Sequence, residues 1–335
     1  MLFSILSWLL AVLFLLAVLG IASLVLATQW IAAKAERLVP PVGKFIEIDG
    51  NRIHYVDVGE GRPIVFLHGL GAQLHHFTST LFGRFDPGYR LIALDRPGSG
   101  YSVRASGATG RLPEQAEIVR RFIETLRLEK PLVVGHSLGG AIALTLAVEH
   151  PEAISGIALL APLTHLEDGA REKFGPLYIP SRLLRRVMAH TMAVPTGLRY
   201  ARPTMEFIFA PQVPPADYMV AAGGWLGLRP AHFYATSSDV VAIERDLGRI
   251  EGRYGEIAMP AGILFGAADR VIDIRIHGEP MQDKIEGLDF EAVDGLGHMP
   301  QFVWPERVIA FIERIAARAF SARTRPHDNF TEPFG

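Results

Sequence analysis

Residues 135–140, with the sequence Gly-His-Ser-Leu-Gly-Gly, carry the strongest chemical signal in the chain. An apolar run precedes them at 131–134, and a run typical of a helix follows at 141–147. A strand, a Gly-x-Ser-x-Gly turn and a helix in this order raise the serine hydroxyl above the sheet on a strained turn, where only small neighbours fit. The N–H groups that begin the helix can stabilise an anion at the same point. The pattern predicts that Ser137 is a nucleophile.

A serine hydroxyl needs a base that accepts its proton and a carboxylate that orients the base. In chains with this turn, the order along the sequence is serine, acid, histidine. Asp269 and His298 lie downstream of Ser137, each in a loop after a predicted strand, where open α/β sheets place their sites. The sequence predicts His298 as the base and Asp269 as the orienting acid. Three aspartates are rival acids: Asp273, Asp239 and Asp168.

Acyl transfer also needs N–H donors for the negatively charged oxygen that forms during attack. The backbone N–H of Leu138, directly after the nucleophile, is the first predicted donor. The loop 68–71 follows the predicted strand at 63–67, and the N–H of Leu70 in this loop is the second.

Four histidines near these motifs are assigned no chemical role. His68 and His136 are interpreted as side chains that pin loops or pack. The adjacent pair His75 and His76 is expected to be solvated at the surface. No carboxylate stands at ligand spacing from this pair, so the sequence predicts no metal site there.

The elements that must position these residues alternate along the chain. A hairpin pattern at 45–58 comes first, and amphipathic helices are predicted at 114–126 and 305–320. Continuously apolar runs predict strands buried on both faces at 63–67 and 90–95. Further strands are predicted at 131–134, 154–160, 261–265 and 288–293. This order predicts an α/β fold, with a mostly parallel central sheet and helices on both faces.

One stretch, 163–253, breaks the alternation, and we call it the helical insertion. It has no buried-strand run, it is rich in large apolar side chains, and prolines divide it into short helices. Its place in the chain predicts a lid over the nucleophile; the alternative is a helical subdomain that only packs. The core is then predicted over 45–162 and 254–320, with a polar tail at 321–335.

The amino terminus predicts a membrane anchor over 1–33, followed by a linker at 34–44. The stretch 2–27 is almost continuously apolar, and about 20 such residues span a bilayer as a helix. A cleaved signal peptide is the alternative, but the run is longer than usual and lacks a basic start. Three basic residues follow the apolar run, which favours a catalytic part on the cytoplasmic side: Lys34, Arg37 and Lys44.

Composition excludes several classes of function. The formal net charge of −2 provides no basic patch for nucleic acid. The chain has no cysteine, which excludes disulfides, a thiol nucleophile and thiolate metal sites. No cofactor is expected, and composition does not predict an oligomeric state.

Five motifs in order resemble the α/β-hydrolase superfamily, in its lidded serine-hydrolase branch. They are His68-Gly69-Leu70-Gly71, the stretch from Asp95 to Ser102, residues 135–140, Gly266-Ala267-Ala268-Asp269 and Gly297-His298. The resemblance covers about residues 45–320. It implies that the stretch from Asp95 to Ser102 builds a turn near the site and is architectural.

Single positions narrow the range of reactions that the resemblance implies. Epoxide hydrolases and haloalkane dehalogenases use an aspartate where this chain has Ser137, and ring-fission C–C hydrolases carry Gly-Asn-Ser-Met-Gly at this turn. Ester, thioester or lactone hydrolysis remains, with perhydrolase-type (cofactor-free haloperoxidase) activity and C–C hydrolysis as alternatives. A non-catalytic binding protein is the alternative outside enzymes. The apolar insertion and the anchor favour a lipophilic ester as substrate, in an arrangement similar to membrane-anchored monoacylglycerol lipases.

Overall fold

The computed structural model describes residues 2–167 and 174–321. Asp168 and the predicted tail beyond Ser321 lie outside the described residues. The centre of the described chain is one eight-stranded sheet. Its strands are β1 (Lys44–Ile48), β2 (Asn51–Val58), β3 (Arg62–Leu67), β4 (Tyr89–Leu94), β5 (Leu132–His136), β6 (Gly156–Leu160), β7 (Ala261–Gly266) and β8 (Asp289–Val293).

The strands are ordered β1-β2-β4-β3-β5-β6-β7-β8 across the sheet. The β1–β2 and β2–β4 pairs are antiparallel, and every other neighbouring pair is parallel. The chain therefore enters a parallel sheet through an antiparallel hairpin. The predicted α/β fold class is confirmed.

Helices surround this sheet. They are α1 (Leu2–Leu38), α2 (His75–Thr78), α3 (Leu112–Thr125), α4 (Leu138–Glu149), α5 (Arg182–His190), α6 (Ala193–Phe209), α7 (Tyr218–Ala221), α8 (Pro230–Glu251), α9 (Ile274–His277), α10 (Pro300–Val303) and α11 (Pro305–Ser321). Short 3-10 helices lie at Phe82–Arg84, Pro151–Ala153, Gly175–Leu177, Gly224–Leu228, Tyr254–Glu256 and Glu279–Asp283.

Strand residues alternate between two apolar layers. In β3, Val65 and Leu67 pack in the layer that holds α3 and α4, whereas Ile64 and Phe66 pack in the layer that holds α11. All four side chains are fully buried. Because successive side chains of a strand point to opposite faces, a strand covered on both sides must be apolar throughout. This double burial explains the continuous apolar runs in the sequence.

Helix α1 is longer than the sequence predicts. It continues through residues 34–38, which were expected to form part of the linker. This stretch consists mostly of good helix formers, and Ala35 within it is fully buried. Among the described residues, α1 is the helix long and apolar enough to cross a membrane, and its most apolar part is exposed along its whole length.

Candidate active site

The predicted nucleophile lies on a tight turn between β5 and α4. Ser137 has φ 51° and ψ −119°, a conformation that few residues with a side chain adopt. A side chain at Gly139 would collide with the carbonyl of Leu67 in β3, and one at Gly135 would collide with the carbonyl of Gly139. The glycines therefore allow α4 to start close against the sheet, which keeps Ser137 in its strained conformation.

Asp269 and His298 meet at the carboxyl ends of β7 and β8. His298 Nδ1 donates to Asp269 Oδ2 at 2.7 Å, and both side chains are almost completely buried. The other oxygen, Asp269 Oδ1, accepts from the N–H groups of Val271 and Ile272 at 2.8 and 3.1 Å. The carboxylate is held on both oxygens, and a proton on Nδ1 leaves Nε2 of His298 as the acceptor.

The two described rival acids are engaged elsewhere. Asp273 caps α9 by accepting from the N–H of Arg275 at 2.9 Å, and the Arg275 guanidinium lowers the pKa of the Asp273 carboxyl. Asp239 lies in α8 and pairs with Arg96 at 2.8 Å and with Arg104 at 2.5 Å. Both oxygens of Asp239 therefore face guanidinium groups.

The loop that carries Leu70 passes directly against the serine turn. A Cβ atom placed on Gly69 would lie 3.1 Å from Cβ of Ser137 and 3.1 Å from Nδ1 of His136. Leu70 follows this contact and is half-buried, whereas Leu138, which begins α4, is buried. The structure thus brings the two predicted N–H donors to the neighbourhood of Ser137.

A buried arginine that the sequence analysis did not single out holds this loop. Arg96 donates from Nε to the carbonyl of His68 at 3.0 Å and from a terminal nitrogen to the carbonyl of Gly69 at 2.9 Å. Its remaining nitrogen donates to Gln115 and Asp239. Because Arg96 is 1% exposed, every bond forms away from water. Its only sequence signal is its place in the motif that begins at Asp95.

His68 completes the attachment of the loop. Its Nε2 accepts from the backbone N–H of Arg96 at 2.9 Å, and its Nδ1 donates to the carbonyl of Gly69 at 2.9 Å. Burial, together with the charge of Arg96, holds the pKa of the His68 imidazole well below its usual value. His68 is therefore neutral and serves as one donor and one acceptor.

His136 links the serine turn to the histidine loop. Its Nε2 donates to the carbonyl of His298 at 2.9 Å, and the two rings are 4.9 Å apart between centroids. Burial, together with the proximity of His298, lowers the pKa of His136 well below its usual value. The residue before Ser137 thus contacts the predicted base directly.

The helical insertion reaches the same loop through Gln212. Its Nε2 donates to the carbonyl of Gly295 at 2.6 Å, and its Oε1 accepts from the N–H of Gly297 at 3.0 Å. Gly297 also passes so close to the carbonyl of Ala210 that any side chain there would collide with it. No motif in the sequence indicates this contact.

His76 is not solvated, and that expectation was wrong. The side chain is 6% exposed, and the Tyr218 hydroxyl of the helical insertion donates to its Nε2 at 3.0 Å. The rings of Phe302 and Tyr218 pack against it. Burial, more than the neighbouring histidines, lowers the pKa of His76 to about 3. Its partner His75 is half-buried, and burial lowers its pKa as well.

No cation site is evident in the part of the chain that the structure describes. Over residues 2–167 and 174–321, no three His, Asp or Glu side chains are grouped so that they could hold a metal ion.

A sequence profile of the alpha/beta hydrolase fold matches residues 62–206, from β3 through the serine turn into α6. The chain has the α/β-hydrolase fold. The chain is 25% identical over 268 residues to 2-hydroxy-6-oxononadienedioate/2-hydroxy-6-oxononatrienedioate hydrolase of Paraburkholderia phymatum, a match that covers 76% of this chain and 88% of the relative.

Two further likenesses cover different shares of the chain. It is 38% identical over 122 residues to the dihydrolipoyllysine-residue acetyltransferase component of the acetoin cleaving system of Cupriavidus necator. That match covers 36% of this chain, which spans only 32% of the relative's length. A solved membrane phospholipase A aligns over 94% of this chain and 99% of its own chain, with a TM-score of 0.66 and 21% identity. At that identity the likeness shows the fold.

Proposed function

We propose that this protein is a serine hydrolase that cleaves lipophilic carboxylic esters. Ser137 is the nucleophile, His298 the general base and Asp269 the acid that orients His298. The observation that carries the proposal is the buried 2.7 Å hydrogen bond between Asp269 and His298. The loop of His298 is in turn hydrogen-bonded to His136, the residue before Ser137.

The chemistry runs through an acyl-enzyme. Oγ of Ser137 attacks the ester carbonyl carbon while Nε2 of His298 takes the hydroxyl proton. The N–H groups of Leu70 and Leu138 donate to the oxyanion of the tetrahedral intermediate. The intermediate collapses, and the leaving alcohol takes the proton from His298. Water then attacks the acyl group with His298 again as base, which releases the acid and restores Ser137.

Asp269 sets the efficiency of these steps. Its carboxylate accepts the Nδ1 proton of His298, so Nε2 is the free acceptor, and its negative charge stabilises the imidazolium that forms. The two backbone N–H groups on Oδ1 prevent the carboxylate from rotating. In the loop near Ser137, Arg96 and His68 hold the Leu70 donor in place in the same way.

Two features support a lipophilic substrate. The apolar helix α1 supports attachment to a membrane, and the helical insertion that contacts the histidine loop is rich in apolar side chains. The fold likeness to a membrane phospholipase A is consistent with this class. Lys34, Arg37 and Lys44 after the span support a catalytic part on the cytoplasmic side.

A second candidate reaction is hydrolysis of a carbon–carbon bond. The sequence similarity to the Paraburkholderia phymatum hydrolase favours this reaction, because the similarity extends over most of both chains. The serine turn argues for esters, because His136 and Leu138 stand where ring-fission hydrolases carry asparagine and methionine.

Labelling with a fluorophosphonate tests the nucleophile. We expect wild-type protein to label at one serine, Ser137→Ala to lose both the label and turnover of p-nitrophenyl acyl esters, and Ser155→Ala to keep both. Ser155 is a buried serine that precedes β6 and serves as the matched control. A labelled Ser137→Ala variant, or an unlabelled wild type, would overturn the proposal. A series of acyl chain lengths, run beside a ring-fission C–C substrate and a peroxide-dependent halogenation assay, separates the reaction classes.

A further inference from the structure

Helix α5 turns its apolar side chains away from the protein. Arg185 and Ala189 are buried, with Arg185 bonded to Ser237 of α8 at 3.1 Å. On the opposite side of the helix, Leu183, Leu184 and Val187 are 74%, 51% and 49% exposed. A helix that lies on a globular core normally places its apolar stripe inward. We call Leu183, Leu184 and Val187, with the flanking Arg182 and Arg186, the α5 face.

The charged side chains of the α5 face are all positive. Arg182 and Arg186 are both exposed, and α5 contains no acidic residue. Helix α6 follows after a short turn and presents exposed Arg199, whereas its Arg202 pairs with Glu206 of the same helix at 2.8 Å. An apolar stripe bordered by arginines is typical of a helix that lies in a bilayer interface, where acyl chains contact the stripe and anionic headgroups pair with the arginines.

The exit point of α1 places a bilayer next to this face. Oγ1 of Thr28 donates to the carbonyl of Thr191, the residue that directly follows α5, at 2.9 Å. Three residues further along α1, Ile31 packs against Val194 at the start of α6. The preceding residues 3–23 are all exposed. At 1.5 Å per residue they form a rod of about 30 Å, the thickness of a hydrocarbon core.

A polar contact strengthens the junction between α1 and the helical insertion. Glu36 pairs with Arg229 at 2.9 Å, and the ammonium group of Lys34 lies 4.9 Å from the ring of Trp225. The last three turns of α1 are thus part of the protein surface that the insertion forms. A membrane that receives residues 3–23 must meet the protein at the end of α5.

We propose that α5 is a second membrane contact, which lies in the interface of the bilayer that α1 spans. Leu183, Leu184 and Val187 enter the acyl boundary, and Arg182 and Arg186 bind anionic lipid headgroups. The inference rests on the membrane attachment in the proposed function and extends it. It places the helical insertion, which contacts the histidine loop through Gln212, at the surface from which a lipophilic ester arrives.

Site-specific fluorescence tests this contact in the full-length chain. The chain has no cysteine, so Val187→Cys can be labelled with an environment-sensitive NBD probe at that one position. Val58→Cys is the matched control, because Val58 is 42% exposed and pairs with Leu91 near the start of β4. The serine turn lies at the other end of the parallel strands, after the last residue of β5. Both proteins are reconstituted in vesicles of phosphatidylcholine and phosphatidylglycerol, with and without nitroxide-labelled lipid.

We expect the probe at position 187 to shift to shorter wavelength and to be quenched by the nitroxide lipid, and the probe at position 58 to do neither. Equal emission at both positions would overturn the inference. A wavelength shift without lipid quenching that grows with protein concentration would also overturn it, because a second copy of the chain then covers the face. Replacing Arg182 and Arg186 by Gln should weaken quenching in the presence of phosphatidylglycerol and leave it unchanged in phosphatidylcholine alone.

Kinetics separate this inference from the proposed function. In the Leu183→Glu, Val187→Glu double variant we expect KM for an ester embedded in vesicles to rise about tenfold, since two apolar contacts are lost. Turnover of a soluble p-nitrophenyl ester should be unchanged. Quenching at position 187 that persists in Ser137→Ala supports the contact even if no ester is hydrolysed. Full activity on esters without quenching leaves the function standing and removes the contact.

Discussion

Oε1 of Gln212 accepts a hydrogen bond from the N–H of Gly297 at 3.0 Å, one residue before His298. The same side chain donates to the carbonyl of Gly295 at 2.6 Å, so one amide bridges the loop from the side of the helical insertion. Gln212 and Gly297 are 85 positions apart in the sequence. The proposed base is thus held by the sheet through Asp269 and by the insertion through Gln212.

Replacing Gln212 by Ala should lower kcat for a soluble ester about tenfold, with KM changed little. The variant loses two hydrogen bonds, each contributing about 1 kcal/mol, that hold the loop before His298. Steady-state kinetics with p-nitrophenyl acetate provide the measurement. Gln282→Ala is the control, because the exposed Gln282 side chain bonds only weakly to the carbonyl of Glu279 at 3.4 Å. Equal losses in the two variants, or a loss confined to KM, would show that Gln212 does not position His298.

Replacing Asp269 by Asn should reduce kcat about a thousandfold or more, because an amide cannot hold the Nδ1 proton on His298 as a carboxylate does. Asp273→Asn should retain most activity, since Asp273 caps α9 and pairs with Arg275. The two variants make the same chemical change four residues apart. Comparable losses in kcat would reverse the assignment of the acid.

Replacing Arg96 by Lys should lower both stability and kcat. A lysine ammonium cannot reach the carbonyls of His68 and Gly69 together with Asp239, so a buried carboxylate loses one partner and the loop of Leu70 loosens. We expect a loss of about 3 kcal/mol in the free energy of unfolding, as is typical of broken buried ion pairs. Arg90→Lys should cost less than about 1 kcal/mol, because Arg90 and Asp57 form a partly exposed pair. Urea denaturation and kinetics on both variants test this, and an Arg96→Lys protein as active and stable as Arg90→Lys would contradict it.

Acid should destabilise the fold through His76. Burial lowers its pKa from 6.5 to about 3, so between these values the unfolded chain binds a proton that the native protein excludes. The free energy of unfolding therefore falls as pH decreases through this window, by about 1.4 kcal/mol per pH unit for this one group. His76→Gln cannot titrate, and its stability should depend less steeply on pH by that amount. Denaturation of both proteins across the window provides the slopes. The exposed His190→Gln is the control, and a His76→Gln slope equal to that of the wild type would refute the linkage.

Local patterns predicted the α/β-hydrolase fold, and this fold is confirmed. Apolar runs such as 63–67 mark strands because a strand covered on both faces must be apolar throughout. The glycines of the serine turn mark β5 and α4 for a similarly local reason, since collisions within the turn exclude side chains. The roles of Ser137, Asp269 and His298 stay predictions that the experiments above test.

Contacts across long separations were beyond the sequence. Arg96 and Asp239 are 143 residues apart, and no spacing rule connects a motif in the core with a helix in the insertion. His76 resembled a surface residue until Tyr218, 142 positions later, packed over it. The end of α1 resembled a linker, but Glu36 pairs with Arg229 of the insertion, 193 positions later.

By itself, the sequence determined the order of strands and helices, the turn that exposes Ser137 and the loops that carry Asp269 and His298. These depend on backbone sterics and on burial, which act over a few neighbouring residues. Only the tertiary structure decided how those loops are held, by Arg96, His136 and Gln212, and which side of α5 faces outward. These depend on which distant side chains share one buried space, and that depends on how the whole chain packs.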